Sequence, residues 1–515
     1  MLFFDADIML GRMSVPVPGM FESPEELLLE MDRLGIQEAL VFHAWSKESH
    51  PETGNERLLK EINGYPRLHP CWVGLPPGLE EMPESAQLVQ EMRQAGVRAL
   101  RLFPNSQRFP ATVWCLGPLL EALEAEGIPV ILDHEATHWS DDRIQASELL
   151  KIGEAFPRLH LILVHASLGM ARWIVPLMQR MPCLHLETGY FQPNNGLEAI
   201  VCRFGAERLI FGSGMPVWSA GPPMQMLECA RIPGKARLEI AGDNLRRIMG
   251  LPPGGGTSED GFQKARMPLE MAFDAHGHLG GWHSTAILGK GTPEDIVRTL
   301  EGIGVYGVLL SDMLAIGPDF KRGNDRMAEA IARFPGRIFG YAVVNPHYPR
   351  EMVPELERCF DQLGFTGIKF HCGLHQYHGD GPNYRPAIEF ANERGLGILI
   401  HGYGPMSVLE ELAESYPNAR FLSAHIGGWN GVSRDDSIEA ARRHPNIYLD
   451  LASSVCYQGA LERMVAEVGS RQIIHGSDMP LMDPAYQLGR VTKANIPEEA
   501  RWDILLYNAK RVFGV

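Results

Sequence analysis

The chain repeats itself. Asp5-Ala6-Asp7-Ile8-Met9-Leu10-Gly11 lines up with Asp274-Ala275-His276-Gly277-His278-Leu279-Gly280, and Gly54-Asn55-Glu56-Arg57 with Gly323-Asn324-Asp325-Arg326. Phe211-Gly212-Ser213-Gly214-Met215-Pro216 likewise matches His475-Gly476-Ser477-Asp478-Met479-Pro480. Paired positions (7 with 276, 134 with 401, 165 with 425, 214 with 478) keep a nearly constant separation. Self-similarity over half a chain is a tandem duplication, so any fold assigned to one half must suit the other.

Within each half, short apolar runs alternate with amphipathic stretches, as βα units require. Strands are expected at Phe3–Ile8, Glu38–His43, Leu68–Leu75, Val97–Phe103, Val130–His134, Leu159–His165, Leu184–Thr188 and Leu209–Gly212. The second half repeats the cycle at Ala272–His276, Gly307–Leu310, Ile338–Val344, Gly367–His371, Gly397–His401, Phe421–His425, Ile447–Leu451 and Gln472–Gly476. Eight units in about 250 residues is the count of a (β/α)8 barrel. The expected α/β architecture is two tandem TIM barrels, residues 1–250 and 268–515. Between them, 251–267 opens Leu251-Pro252-Pro253-Gly254-Gly255-Gly256, which can pack as neither helix nor strand and reads as a linker.

Charge narrows the partners. With 47 basic against 63 acidic residues the net charge is −16, which disfavours nucleic acid or an anionic membrane as the main partner and leaves a small molecule. The eight cysteines form no Cys-x-x-Cys pair, which argues for reduced thiols in a cytoplasmic protein. The stretch Met1-Leu2-Phe3-Phe4-Asp5 has neither the basic start nor the apolar core of a signal peptide and reads as the first strand.

Polar residues close the expected strands of the second half: His276 and His278, then His401, His425 and Asp478. Residues two apart on a strand share a face. Histidines and a carboxylate ending separate strands in order point to a metal site at the C-terminal mouth of a parallel barrel. The first half has Asp7, Met9 and Gly214 where the second has His276, His278 and Asp478, and keeps His134 and His165. A thioether and a glycine cannot replace an imidazole and a carboxylate on zinc, so the first barrel is expected to be catalytically silent. The competing reading is a divergent site built on Asp7, His134 and His165.

The motifs His276-x-His278, His401, His425-x-Gly427-Gly428 and Gly476-Ser477-Asp478-x-Pro480 resemble the amidohydrolase superfamily, in particular its amidohydrolase family 2 group. So do Asn324-Asp325 through Pro335-Gly336-Arg337 and the C-terminal Asn508-Ala509-Lys510-Arg511-Val512-Phe513-Gly514. That group includes metal-dependent hydrolases and non-oxidative decarboxylases. The resemblance implies one divalent metal, zinc first with manganese or another transition metal as alternatives, held by His276, His278, His401 and Asp478. Asp478 would act as base and then acid, and His425 as acid/base or as polariser of the substrate. Lys369 and His371, sharing a face of the fourth strand, with Trp282, His283, Tyr403 and Trp429 on following loops, are candidates for contact with a ring or planar substrate.

Three readings stand at this point. The first is a metal-dependent hydrolase of a small ester, lactone or amide. The second is a metal-dependent decarboxylase of an aromatic or unsaturated carboxylic acid. The third, a non-enzymatic binding protein, sits poorly with the intact constellation. Relatives in this group commonly form dimers, and the duplication with its lost ligands gives two readings of the silent barrel: a built-in partner in a pseudo-dimer, or a decayed copy kept for solubility, with further oligomerisation left open.

Overall fold

The structure, a computed structural model, describes residues 2–252, 272–427 and 434–515. All but the first two residues of the expected linker lie outside them. The described chain divides into two compact units. One holds the first half together with Ser284–Ala286 and Ser454–Gly459; the other holds the rest of the second half.

The first unit carries β1 (Phe3–Leu10), β2 (Ile36–His43), β3 (Leu68–Pro70), β4 (Trp72–Val73), β5 (Leu100–Leu102), β6 (Val130–Asp133), β7 (Leu161–Val164), β8 (Leu184–Glu187) and β9 (Leu209–Ile210). All neighbouring pairs are parallel. The expected strand Leu68–Leu75 is split at Cys71 into β3, paired with β2, and β4, paired with β5. The Cys71 amide still donates to Val41 O at 2.8 Å, so β3 and β4 fill one position of the barrel wall. Amides of Ala6 and Met9 donate to Phe211 O and Met215 O at 3.0 and 2.9 Å and close the ring.

The second unit is one eight-stranded parallel sheet: β10 (Ala272–Leu279), β11 (Val305–Asp312), β12 (Ile338–Val343), β13 (Gly367–His371), β14 (Gly397–His401), β15 (Arg420–Ser423), β16 (Ile447–Asp450) and β17 (Ile473–Ile474). Amides of Ala275 and His278 donate to His475 O and Met479 O, closing it. Both units are (β/α)8 barrels. Phe273, Leu309, Tyr341, Leu399, Leu422 and Ile474 form a core with Ala509, Val512 and Phe513 of the last helix. No helix of the described residues is long and apolar enough to cross a membrane.

The repeated sequence motifs have local physical causes. Ser23-Pro24 and Thr292-Pro293 each open a helix: the hydroxyl accepts the amide three residues on, and proline occupies a position whose N–H has no helical partner. Gly35 and Gly304 end these helices at φ 78° and 82°, a backbone that other residues resist. In the Gly-Asn repeat, Asn324 donates to Val343 O and accepts from Val343 N, at 3.0 and 3.1 Å, pinning the end of β12. Asn55 does the same to Val73 at 2.9 Å for both bonds. The glycine before each lets the helix meet the preceding turn: a Cβ at Gly323 would lie 2.3 Å from Ala315 N, and one at Gly54 2.1 Å from Ser46 N.

Candidate metal centre

β10 buries eight residues in a row, including Asp274, His276 and His278, and each buried polar group needs a partner. Asp274 accepts the amides of His276 and Ser477 at 3.1 and 2.9 Å, and also the Ser477 hydroxyl. His276 Nδ1 lies 2.7 Å from Asp450 Oδ2, and His278 Nδ1 lies 2.9 Å from Ser311 Oγ. The β10–β11 register slips between Asp274 and Gly277, a bulge that re-aims the strand beside the site.

These contacts leave both Nε2 atoms facing Asp478, whose Oδ1 is 3.7 Å from His276 and 2.8 Å from His278. Asp478 is presented from a left-handed backbone, φ 61°, which a non-glycine residue adopts at a cost and chiefly at functional sites. His276, His278 and Asp478 each bring a donor atom within 4.8 Å of the others. His276, His425 and Asp450 form a second such grouping. Asp450, however, already accepts His276 Nδ1 and the amides of His425 and Ala452. It is therefore suited to orient His276 rather than to hold an ion itself.

His401 ends β14 with Nδ1 2.6 Å from His371 Nε2. Its ring lies 4.8 Å from that of His425, and it belongs to neither grouping. His425 falls beyond β15 rather than closing it, as the sequence suggested. Its amide bonds to Asp450 and its backbone turns left-handed at φ 57°, taking it out of the sheet ladder. Its Nδ1 is held 2.5 Å from Ala452 O.

Burial pushes the imidazoles of His276, His278, His371 and His401 below their ordinary value, keeping them neutral with lone pairs available. Burial also lowers Lys369 to about 8, and its Nζ lies 3.1 Å from His276 Nε2. For Asp478 burial would raise the pKa, but the hydrogen bond from His278 outweighs it and holds the carboxyl near 2. Neutral imidazoles converging on an ionised carboxylate, with an ammonium already drawn to one lone pair, are a donor set that fits a divalent cation.

A cavity of about 810 Å³ opens beside the end of β10. Trp282 and His283 line it with Met313, Arg326, Asn345 and His347, while none of the clustered ligands does; Leu279, which follows His278 in the chain, is part of its lining. Tyr403 does not line it. It is buried, with its hydroxyl 2.9 Å from Ser423 Oγ. Lys369 and His371 are likewise buried among the histidines rather than in the cavity wall. Trp429 lies outside the described residues.

In the first unit the strand register corrects the pairing of His134 with His401. Arg101 faces Ile131 as Lys369 faces Leu399, so Asp133, not His134, stands at the His401 position. His134 turns its Nε2 to Asp141 O at 3.1 Å, so a site of Asp7, His134 and His165 does not assemble. Sequence reasoning also missed Asp450, Asp274, Ser311 and Arg326. A carboxylate ending the seventh strand of both halves (Glu187, Asp450) and the repeated Asp5/Asp274 were the available signals.

A family model described as amidohydrolase matches residues 16–251 and 290–515. The gamma-resorcylate decarboxylase of Rhizobium radiobacter is 21% identical over 248 residues, 38% of this chain and 75% of that protein. The enzyme of the same name from a Polaromonas species is 21% identical over 281 residues, 42% of this chain and 86% of that protein. Among solved structures, a 2,6-dihydroxybenzoate decarboxylase from Rhizobium is 18% identical, covering 48% of this chain and 99% of its own, with a TM-score of 0.38. Matched across both of its halves, the chain belongs to the amidohydrolase family.

Proposed function

We propose that the second unit is a metal-dependent, non-oxidative decarboxylase of hydroxylated aromatic carboxylic acids. The observation that carries this reading is the pair of decarboxylase relatives matched over most of their length, set beside a cluster of neutral histidines around an ionised Asp478. The same relatives favour it over hydrolysis of an ester, lactone or amide.

His276, His278 and Asp478 would hold the ion, with His401 the further ligand proposed from the fifth strand. Nitrogen and oxygen donors do not select sharply between zinc and manganese. Such an ion would supply positive charge that stabilises an anionic substrate. Asp450 holds His276 in the tautomer that keeps its Nε2 lone pair inward. Trp282 and His283, which line the neighbouring cavity, would be the wall for the substrate's ring. Decarboxylation breaks one carbon–carbon bond, releases carbon dioxide and places a proton on the ring carbon, with no water consumed. Asp478 takes the proton of the ring hydroxyl and delivers it to that carbon, while His425 steadies the departing carboxylate.

The test is a panel of hydroxylated benzoic acids, gamma-resorcylate among them, with carbon dioxide release followed beside acid release from lactones and esters. Carbon dioxide from an aromatic acid, abolished in His278→Ala and Asp478→Ala, is the expected result. Acid released from a lactone without carbon dioxide from any member of the panel would restore the hydrolase reading.

A further inference from the structure

The first unit places a second buried polar cluster at the corresponding strand ends and completes it by other means. Register sets Asp7 at the position of His276, Asp133 at that of His401, and Arg101 at that of Lys369. Arg101, 1% exposed, donates through its two terminal nitrogens to Asp7 Oδ1 and Asp133 Oδ2, each at 2.5 Å. His165 spans the same two carboxylates: Nδ1 is 2.8 Å from Asp133 Oδ1 and Nε2 is 2.9 Å from Asp7 Oδ2. All four carboxylate oxygens therefore face a cation of the chain. Phe42 and Phe103 flank the guanidinium, its carbon 4.4 and 5.0 Å from their ring centres.

The charges balance without an ion. Burial would raise Asp7, but Arg101 and His165 hold it down to about 2; Asp133 is lowered still further by His165 and Arg101. Burial would lower His165, yet the two carboxylates hold it up to about 10. Two ionised carboxylates thus meet one guanidinium and one imidazolium, while the neighbouring Glu187, pushed up to about 8 by burial and the charge of Asp7, stays largely protonated at neutral pH. The contrast with the second unit is chemical: there the imidazoles are neutral and keep lone pairs, whereas a protonated imidazole has none to give a metal. Arginine suits this place because its planar fork bridges two carboxylates and never loses its charge, whereas a buried lysine does so readily.

We propose that the first unit carries a cation site filled by its own chain, in which the Arg101 guanidinium, between Asp7, Asp133 and His165, stands where a divalent metal would bind. The site accepts a divalent metal only when that side chain is removed. The inference rests on the geometry of the first unit alone and is independent of the reaction assigned to the second.

The experiment counts metal per full-length chain after stripping with chelator and dialysis against manganese or zinc. In a His278→Ala/Asp478→Ala background, which dismantles the second-unit cluster, the expected content is zero. Adding Arg101→Ala to that background is expected to bring one equivalent, together with a melting temperature that rises on adding metal. A folded Arg101→Ala chain that takes up no metal would overturn the proposal. So would metal that persists in the His278→Ala/Asp478→Ala chain and is lost on Asp7→Asn, and this second arm remains decisive should Arg101→Ala fail to fold.

Discussion

Asp450→Asn tests the reading of the second-unit cluster most directly, because it changes one atom in a fully buried group. Asp450 accepts three hydrogen bonds: His276 Nδ1 at 2.7 Å and the His425 amide at 3.1 Å on Oδ2, and the Ala452 amide at 3.1 Å on Oδ1. An asparagine has only one oxygen. If that oxygen keeps the place of Oδ2, its NH2 group faces the Ala452 amide, donor against donor. If it takes the place of Oδ1, His276 must surrender its Nδ1 proton and carry one on Nε2, where the lone pair for a metal is needed. Either way a buried polar contact is lost, at a cost of about 1–3 kcal/mol. Loss of an outer carboxylate partner weakens metal affinity about 10–100-fold, equivalent to about 1.4–2.7 kcal/mol. The assay is competition with a chromophoric chelator for manganese and for zinc, run beside thermal melting of the metal-free proteins. Asp450→Ala, which strands all three donors, should melt lowest. An Asn variant that binds metal within about twofold of the parent would refute the assignment of Asp450 as the group that fixes the His276 tautomer.

Three further outcomes are expected. In the first unit His165 is protonated in the folded chain up to about pH 10 against an ordinary 6.5, so its stabilisation is complete below pH 6.5 and disappears as pH rises through 10. His165→Asn should therefore cost about 3–5 kcal/mol at pH 6 and progressively less toward pH 10.5 in urea unfolding, and an equal cost at both ends would contradict the charge balance. Asn324→Ala and Asn55→Ala each remove two bonds to one buried strand residue, so each should cost about 2–4 kcal/mol by denaturant midpoint. Markedly unequal costs would break the equivalence of the two Gly-Asn motifs. Trp282→Ala should raise KM for an aromatic acid several-fold, whereas Tyr403→Phe should leave KM alone and remove about 1 kcal/mol of stability, because only the latter hydroxyl bonds Ser423 in the interior.

What could be read from the letters depended on whether a residue's role is set by strand alternation or by what faces it across the barrel. His276, His278 and Asp478 were legible because period-two spacing and a strand-end position are local properties. The duplication was legible for the same reason: its Gly-Asn pairs are short-range devices that recur intact. His134 misled because an alignment by residue type prefers histidine to histidine. Parallel register instead places Asp133 at the mouth, and a slip of one residue sends every side chain to the other face. Arg101 was invisible for a different reason. Alone in Leu100-Arg101-Leu102 it reads as the exposed side of a strand, and only closure of the barrel turns that side inward onto Asp7, ninety-four residues away. The same closure decides what each half does. Two carboxylates facing an arginine satisfy one another and need nothing further, whereas histidines kept neutral beside Asp478 retain lone pairs that a metal can use.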